Sequence, residues 1–340
     1  MLKKKPGYTV AVLGATGAVG QETLEILEER KFPLAGLRLF ASKRSAGEVM
    51  TCQDKEWTIE ELTESSSFAG VDIAFISATD AISKEYGQRL GAAGIVVIDD
   101  SAVFRMDEQV PLVVPEVNAA ALGMMPRGIV SIPNCTTTPL VMALKPLHDA
   151  VGVKRVVVTT FQSVSGTGTA AMDELMEQTK DLLAFQDIKT EVYPYQIAFN
   201  LLPHIGSFNE GGDCSEEVKI AKETRKILNA PGLRVTATTV RVPVLRCHSE
   251  AINVELERPL TANEARAALA AMPGVIVYDD PVKKLYPMPL DATGKDEVYI
   301  GRVREDESIT NGLNLWVVSD NLRKGAALNA IQIAECLVGR

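Results

Sequence analysis

The chain has 340 residues, of which 46% are hydrophobic and 23% charged, and its formal net charge is −9 at pH 7. This length and apolar content predict a globular protein of about two domains with a sizeable buried core. The acidic balance argues against a surface that binds nucleic acid or anionic membrane, although a local basic pocket can still bind a small anion.

Five scattered cysteines occur without a CxxC pair: Cys52, Cys135, Cys214, Cys247 and Cys336. This pattern favours reduced thiols in a cytosol over a disulfide framework or a zinc site. The apolar run after the N-terminal lysines is short and soon meets a glycine, unlike a secretion signal. No stretch approaches the roughly 20 apolar residues of a membrane span. We therefore expect a cytoplasmic protein without a metal site and without a membrane partner.

The first part of the chain predicts alternating strands and helices. A buried strand at residues 8–13 runs into a glycine turn and a helix, and strand-like runs recur at 37–42, 71–78, 94–101 and 128–133. Helical material lies between some of them. This alternation is typical of a parallel, doubly wound sheet.

The turn after the first strand carries Gly14, Gly17 and Gly20. Glycines at such a turn let backbone amides approach a pyrophosphate at the helix N-terminus, where unpaired N–H groups and the helix dipole favour anions. The triplet alone is a weak signal, because glycines often serve only turns and packing. Its place between the first strand and the first helix favours dinucleotide binding.

The end of the second strand reads FASKRSAG. An NAD site usually carries an acidic residue here, which binds the ribose hydroxyls. Ser42, Lys43 and Arg44 instead offer hydrogen-bond donors and positive charge, which favours the 2′-phosphate of NADP. The alternative is a solvated turn.

Cys135 lies in SIPNCTTTPL, between a predicted strand and a helix. Open α/β sheets bind their ligands at this end of their strands, and a helix N-terminus lowers a thiol pKa. We therefore consider Cys135 a candidate nucleophile, with Asn134 and nearby amides to hold an oxyanion. The alternative is a small buried hydrophobe, which is our interpretation of the other four cysteines.

Beyond Cys135 the pattern changes. A strand is predicted at 154–164, an amphipathic helix at 169–185, β-rich segments across 233–257 and a final helix at 321–339. Long β-rich segments with little helix between them predict a second, more antiparallel α+β domain.

A nucleophilic thiol generally needs a base, and the chain has three histidines. His148 lies a full helix beyond the cysteine, and His204 lies in a loop without distinguishing context. His248, between two β-rich runs and close to arginines, is the best candidate by elimination.

The ordered motifs GATGAVG, FASKRSAG, FRMD, PEVN, SIPNCTTTPL, FQSVSGTG, EEVK and RVPVLRCHSEA strongly resemble aspartate-β-semialdehyde dehydrogenase of the bacterial type. The match covers nearly the whole chain, and NCTTTP with RxxxxxxH downstream is its specific part. The resemblance implies an α/β fold. A Rossmann-type domain would comprise residues 1–133, joined by the C-terminal helix 321–340. Residues 134–320 would form an α+β catalytic and dimerisation domain like that of glyceraldehyde-3-phosphate dehydrogenase, in a homodimer or a homotetramer.

The resemblance also implies an activity. Such enzymes use NADPH to reduce L-4-aspartyl phosphate to L-aspartate 4-semialdehyde and release phosphate, for lysine, diaminopimelate, threonine and methionine biosynthesis. By the same resemblance, Cys135 forms a thioacyl-enzyme, His248 is the general acid/base and Gln162 orients the acyl intermediate.

Further residues follow from the resemblance alone. Arg241 would bind the substrate α-carboxylate through a bidentate fork, and Glu216 would meet the α-amino group. The implied phosphate site consists of Arg105, Asn134 and Lys219. The implied cofactor residues are Gly14, Ala15, Thr16, Gly17, Ala18, Val19, Ser42, Arg44, Ser45, Ser77, Ala78, Thr79, Ser165, Gly166 and Asn321.

Some of these residues also have purely structural interpretations. Arg105 can cap a strand or pair with Asp107, and Glu216 with Lys219 can form an ordinary surface pair on a helix. After the third strand the chain reads Ser77–Ala78–Thr79–Asp80, where family members often have a glycine-rich SAGG. Asp80 adds negative charge where we expect cofactor phosphates nearby.

Three alternatives compete with this function. N-acetyl-γ-glutamyl-phosphate reductase shares the chemistry, but its cysteine motif usually reads PGCYPT rather than PNCTTTP. A malonyl-CoA reductase-like enzyme uses the same scaffold. A non-catalytic dinucleotide-binding relative is disfavoured because Cys135, Arg241 and His248 occur together.

Overall fold

The structure is a computed structural model that describes residues 2–340. The described chain divides into two compact units. The first unit runs up to Asn134 and includes Ala326–Arg340, whereas the second unit is Cys135–Gly325. The two-domain α/β fold expected from the sequence is confirmed.

Secondary structure alternates along the first unit and becomes β-rich in the second. In chain order, the elements are β1 (Tyr8–Leu13), α1 (Ala18–Glu29), β2 (Leu34–Ala41), β3 (Val49–Cys52), β4 (Lys55–Glu61), β5 (Ile73–Ile76), α2 (Asp80–Ala92), β6 (Val96–Asp99), α3 (Pro115–Asn118), β7 (Ile129–Ser131), α4 (Thr137–Val151), β8 (Val153–Gln162), α5 (Thr169–Leu183), α6 (Ser215–Ile227), β9 (Arg234–Arg241), β10 (His248–Leu256), α7 (Ala262–Ala270), β11 (Val275–Val277), α8 (Pro289–Ala292), β12 (Val298–Asp306), β13 (Gly312–Ser319) and α9 (Leu328–Val338). None of these helices, in the part of the chain that is described, has both the length and the apolar content needed to cross a membrane.

The first unit is built on a sheet in the order β3-β4-β2-β1-β5-β6-β7, with parallel pairing from β4 through β7. The central strand β1 buries Val10, Val12 and Leu13 completely. A strand covered on both faces needs apolar residues at consecutive positions, which is why this stretch shows no polar alternation.

The turn between β1 and α1 depends on glycine. Gly14 has φ +90°, and a Cβ there would lie 2.2 Å from the carbonyl oxygen of Ser77. A Cβ on Gly20 would lie 2.2 Å from the carbonyl oxygen of Gly14. These contacts allow α1 to begin directly against the ends of β1 and β5, and larger side chains would push them apart.

The first unit also contains a hairpin that the sequence analysis did not predict. β3 and β4 pair antiparallel through a turn at Gln53 and Asp54, both of which have positive φ. β4 then pairs parallel with β2, at residues Leu39 to Ala41 of that strand. The hairpin extends the sheet beyond β2.

Asp80 has a structural explanation. It is the first residue of α2, and Thr79 accepts a hydrogen bond from the Ile82 amide as the N-cap residue. A negative charge in the first turn of a helix interacts favourably with the helix dipole. The sequence Thr79–Asp80, which replaces the glycine-rich pattern of the family, thus forms the capped start of α2.

The second unit contains a mixed sheet in the order β11-β12-β13-β10-β8-β9. β10 pairs antiparallel with both β8 and β13, whereas β8 pairs parallel with β9 and β11 parallel with β12. β10 therefore lies between two antiparallel neighbours.

The final helix begins later than predicted. Residues Arg323–Ala327 form a π-helical turn, and α9 starts at Leu328 rather than at residue 321. The Asp320 carboxylate accepts hydrogen bonds from the amides of Leu322 and Arg323. A side chain that binds the next amides in this way replaces the first turn of a regular helix.

We predict that Gly20→Ala destabilises the protein by roughly 1–3 kcal/mol, because the added methyl group overpacks the β1–α1 turn. Gly123→Ala is the matched control, since a Cβ at Gly123 meets no atom within 4 Å among the described residues. Urea unfolding followed by circular dichroism measures both variants. Equal midpoints for the two would contradict the close approach seen at Gly20.

Candidate active site

Several of the predicted site residues lie at one edge of the second unit's sheet. Gln162 ends β8 and is paired with Arg241, which ends the parallel strand β9. β10 runs in the opposite direction, so that His248, its first residue, lies at the same edge. Ser319 is the partner of His248 on β13. The strand register thus brings together residues that lie far apart in the sequence.

His248 is held by the turn that follows β8. Its ring Nδ1 accepts a hydrogen bond from the Ser163 amide at 3.1 Å, and the Ser163 hydroxyl lies 3.1 Å from the same nitrogen. Because a backbone N–H can only donate, Nδ1 must act as the acceptor in this bond. This bond favours the neutral tautomer that carries its hydrogen on Nε2.

The electrostatic environment keeps this imidazole neutral. His248 is 1% exposed, and burial, with the positive charge of Arg241 as a second cause, holds its pKa well below the ordinary value. Glu250 is two residues further along β10, on the same face. Burial raises the pKa of Glu250 well above its usual range, which favours the neutral acid over the carboxylate.

Arg241 is fixed against the same turn. Its Nη1 donates to the Ser163 carbonyl oxygen at 2.6 Å, and the side chain is buried. A Cβ on the exposed residue Gly166 would lie 3.0 Å from this Nη1 and 3.2 Å from Nε2 of His248. A larger residue at position 166 would therefore crowd both groups.

Gln162 and Glu216 form the next part of the edge. The Gln162 amide donates to the Thr160 hydroxyl at 3.2 Å and to Glu216 Oε1 at 3.4 Å. Glu216 Oε2 lies 3.5 Å from the Lys219 amine. Glu216 is only 6% exposed, so this is not an ordinary surface pair.

The position of α6 explains how Glu216 reaches this edge. The neighbouring Glu217 accepts hydrogen bonds from the Cys214 amide at 2.8 Å and from the Thr239 amide at 2.9 Å. The first bond caps α6 and the second ties it to β9. Glu217 therefore anchors the helix start beside Arg241, which is on the same strand.

Asn321 lies at the centre of a buried hydrogen-bond network. Its Oδ1 is 3.0 Å from the Cys247 amide and from the Ser165 hydroxyl, and 3.2 Å from the Ser163 hydroxyl. Cys247 adopts φ +73°, which is rare for a residue other than glycine. Backbone strain of this kind directly before His248 is typical of a functional site.

Cys135 is half-buried, directly before the N-terminus of α4. Thr136 is the N-cap residue, without a capping bond from its side chain. A Cβ on Gly325, in the π-helical turn after Asn321, would lie 3.1 Å from Cys135 Cβ. The cysteine thus lies beside a helix N-terminus, where a thiolate is favoured.

The other cysteines have a different environment. Cys52, Cys214 and Cys247 are buried. Burial raises the pKa of the Cys52 thiol to about 11 and that of Cys247 to about 12. These two thiols remain protonated at neutral pH and are poor nucleophiles.

The first unit contains the predicted dinucleotide residues. Gly17 is the N-cap residue of α1, and the space that a Cβ would fill at Gly14 is taken by the end of β5. Ser42, Lys43 and Arg44 are exposed directly after β2, whereas Ser45 is buried. The remaining predicted cofactor residues of this unit flank the same strand ends: Ala15, Thr16, Ala18, Val19, Ser77, Ala78 and Thr79. The turn, the helix N-terminus and the basic donors fit a phosphorylated dinucleotide.

Arg105 and Asn134 also belong to the first unit. Arg105 is buried and donates from Nη2 to the Asp100 carbonyl oxygen at 2.6 Å, with the Asp100 carboxylate at 3.7 Å. Asp100 is thus an acidic neighbour of Arg105, and Asp107 pairs with Arg127. Asn134 is buried and directly precedes Cys135 in the chain.

Ser163 and Cys247 were missed as site residues by the sequence analysis. Ser163 belongs to the motif FQSVSGTG, in the turn that follows β8. This turn directs both the Ser163 amide and the Ser163 hydroxyl towards His248 on another strand, and no local sequence pattern indicates that contact. The other two histidines serve elsewhere. His148 accepts from the Val153 amide at 3.1 Å, and the His204 ring stacks on Phe208.

Comparison with known protein families gives two matches. The model described as "Semialdehyde dehydrogenase, NAD binding domain" matches residues 9–125. The model described as "Semialdehyde dehydrogenase, dimerisation domain" matches residues 144–324. Together they span both units of the structure.

Individual relatives agree with these matches. Aspartate-semialdehyde dehydrogenase of Aquifex aeolicus is 50% identical over 334 residues, which are 98% of each chain. The crystal structure of aspartate semialdehyde dehydrogenase II complexed with ASA from Vibrio cholerae has a TM-score of 0.96 at 44% identity, over 98% of this chain and 99% of that one. A structure from Candida albicans with NADP has a TM-score of 0.75 at 27% identity, over 97% and 98% of the two chains.

We predict that His248→Gln weakens the pH dependence of stability below pH 6.5. The folded-state pKa lies below the unfolded value, so the unfolded chain gains a proton that the folded chain does not bind, and stability falls as the pH drops. Between pH 7.5 and 5.5 the parent protein should lose up to about 1.4 kcal/mol more than the variant. Urea unfolding at both pH values measures this difference, and equal losses would show that His248 is not held neutral.

Proposed function

The chain belongs to the aspartate-semialdehyde dehydrogenase family, and we propose that it reduces L-4-aspartyl phosphate to L-aspartate 4-semialdehyde through a thioacyl-enzyme on Cys135. The observation that carries the proposed mechanism is the edge of the second unit's sheet. There a neutral His248, a fixed Arg241 and the Gln162–Glu216 pair lie together.

The proposed first step is attack of the Cys135 thiolate on the acyl carbon. The C–S bond forms, the bond to the phosphate oxygen breaks, and inorganic phosphate leaves with the electron pair. The position of Cys135 at the N-terminus of α4 favours the thiolate. His248 is proposed as the base that takes the thiol proton, a role that requires the tautomer with a free lone pair on Nε2.

The proposed second step reduces the thioester. NADPH, when bound, supplies the hydride that adds to the thioester carbon. The oxygen then carries a negative charge, which Nε2–H of His248 stabilises as a hydrogen-bond donor or neutralises as a general acid. Collapse forms the C=O bond as the C–S bond breaks, and any proton on the oxygen returns to Nε2 of His248. The aldehyde leaves while Cys135 keeps the electron pair as a thiolate. Gln162, beside Arg241, is proposed to orient the acyl group.

Recognition of the substrate is proposed to use opposite charges. Arg241 offers two nitrogens in a fixed plane to the α-carboxylate, and Glu216, buried at the same edge, offers a carboxylate to the α-amino group. Lys219 supplies positive charge for the phosphate. Arg105 and Asn134 stay predictions for that same phosphate group.

We propose NADP as the cofactor. Ser42, Lys43 and Arg44 are exposed at the end of β2, where they suit a 2′-phosphate. The relative from Candida albicans was solved with NADP. Ser165, Gly166 and Asn321 are proposed to contact the nicotinamide side.

The second unit matches a dimerisation domain, which supports an oligomer. We propose a homodimer as its basic form, with association of two dimers as the alternative. Cytosolic synthesis of amino acids is the proposed setting.

We predict activity with L-aspartate 4-semialdehyde, measured as phosphate-dependent formation of NADPH. The physical reason is that Arg241 and Glu216 match a free carboxylate and a free amino group, whereas an N-acetyl group removes the positive charge that Glu216 would bind. N-acetylglutamate semialdehyde should therefore react at least about 10³-fold more slowly in kcat/KM, which is the scale expected for an unpaired buried charge. Activity on the acetylated aldehyde alone would overturn the proposed substrate.

We predict that Cys135→Ala abolishes turnover and leaves NADP binding largely intact, because the variant loses the nucleophile while the first unit is unchanged. Cys336→Ala, which removes another half-buried thiol, is the matched control and should stay active. Mass spectrometry of the parent enzyme after exposure to aspartate semialdehyde and NADP without phosphate should show an acyl adduct on Cys135. Full activity of Cys135→Ala would contradict the covalent mechanism.

A further inference from the structure

A short chain of hydroxyl groups lies at Nδ1 of His248, whereas a Cβ on Gly166 would approach Cε1 and Nε2 of the ring. The Ser163 hydroxyl is 3.1 Å from Nδ1 of His248, 3.0 Å from the Ser165 hydroxyl and 3.2 Å from Oδ1 of Asn321. All four side chains are at most 2% exposed. Water is therefore largely excluded from these bonds, and each hydrogen must point to a group of the protein.

The orientation of Asn321 is fixed by a group that can only donate. The Cys247 amide lies 3.0 Å from Oδ1 of Asn321. A flipped carboxamide would set two donors against each other, so the oxygen must face Cys247 and the two serines. Asn321 is thus a permanent acceptor at the end of the hydroxyl chain.

The hydrogen of Ser163 can point to Nδ1 of His248. It can also point to an acceptor away from the ring, either Oδ1 of Asn321 or the Ser165 hydroxyl oxygen, and leave a lone pair towards Nδ1. The first position suits a ring with its hydrogen on Nε2. The second position suits a ring with a hydrogen on Nδ1, because the serine oxygen then accepts it.

A general acid/base at this position needs the ring with its hydrogen on Nε2 and also the ring with a hydrogen on Nδ1. Nε2 can take the Cys135 proton only if it has a free lone pair, and the neutral ring must then carry its hydrogen on Nδ1. The Ser163 amide favours the opposite tautomer, because it donates to Nδ1. The Ser163 hydroxyl oxygen is the group that can accept a hydrogen bond from Nδ1–H. Without it, the buried ring would keep its hydrogen on Nε2 and could act only as a donor there.

We propose that Ser163 is a positioning residue that lets His248 change its protonation state, with Asn321 as the alternative acceptor for the serine hydrogen. This inference rests on the proposed acid/base role of His248. When His248 gains the thiol proton on Nε2, its Nδ1–H donates to the Ser163 oxygen and the Ser163 hydrogen turns to Asn321. When Nε2 gives its proton to the substrate oxygen, the ring becomes neutral, and collapse to the aldehyde returns that proton to Nε2. The serine loses no proton at any point.

The test compares Ser163→Ala with Ser319→Ala. Ser319 is the buried partner of His248 on β13, and its hydroxyl has no hydrogen-bond partner within residues 2–340. We expect Ser163→Ala to lower kcat by about tenfold or more, as for the loss of one hydrogen bond to a charged group, with little change in KM for the aldehyde. Ser319→Ala should retain the parent kcat.

The pH profile adds a readout that a purely structural role would not change. Ser163→Ala removes the acceptor for Nδ1–H of the charged ring, so the pKa of His248 should fall further and the acid limb of kcat/KM should move to lower pH. Ser163→Thr keeps a hydroxyl group and should restore much of kcat, whereas the similarly shaped Ser163→Val should not. This pair also tests the proposal if the alanine variant fails to fold.

Nitrogen-15 spectra of the histidine rings observe the tautomer directly, and the chain has only three histidines. In the parent protein we expect the charged ring to show a hydrogen on Nδ1 at acid pH, and in Ser163→Ala we expect this form to appear only at lower pH. Unchanged ring spectra, kcat and pH profile in Ser163→Ala, in an enzyme that His248→Gln inactivates, would overturn this inference alone. Full activity of His248→Gln would instead overturn the proposed acid/base role itself.

Discussion

The register of the four strands β9, β8, β10 and β13 is the constraint on which the candidate site depends. Parallel pairing places Arg241 beside Gln162, and antiparallel pairing places His248 at the same edge and Ser319 beside it. A slip of one residue in β10 would turn His248 to the opposite face of the sheet. From Glu250 onward, buried positions of β10 alternate with more exposed ones, so apolar burial favours the register that also places His248 at this edge.

Burial has opposite consequences for the polar groups at this edge. It makes an unpaired group costly, and the bonds from Ser163, Ser165 and Cys247 to Asn321 meet this demand. It also strengthens the effect of the Arg241 charge on His248, because little water screens the pair. The sheet edge therefore keeps the fixed cation of Arg241 beside the neutral imidazole of His248. The proposed function needs both, because the cation binds an anionic substrate and the imidazole accepts a proton.

Local features of the site could be predicted from the sequence, whereas its assembly could not. Cys135 and the glycine turn have neighbours in the chain that define a strand end and a helix start. Gln162, Glu216 and Arg241 came only from a family resemblance, because no local pattern shows that segments some 50 to 80 residues apart will pair. The β3–β4 hairpin was missed since its turn at Gln53–Asp54 lacks the glycine that usually marks such turns. The start of the last helix was wrong because the Asp320 side chain, and not the helix periodicity, determines how residues 321 to 327 fold.

Asn321 connects these observations to the cofactor. Its oxygen is used by the Cys247 amide and the serine hydroxyls, so only its amide nitrogen can serve a ligand. If that nitrogen contacts the nicotinamide, as the family resemblance implies, one side chain touches both the cofactor and the network that holds His248. Because the carboxamide is planar and rigid, a ligand that binds the Asn321 nitrogen and shifts it also shifts the Asn321 oxygen. The geometry of the base and the position of the hydride donor are then set by the same side chain, and the strained turn at Cys247 supplies the amide that fixes its orientation.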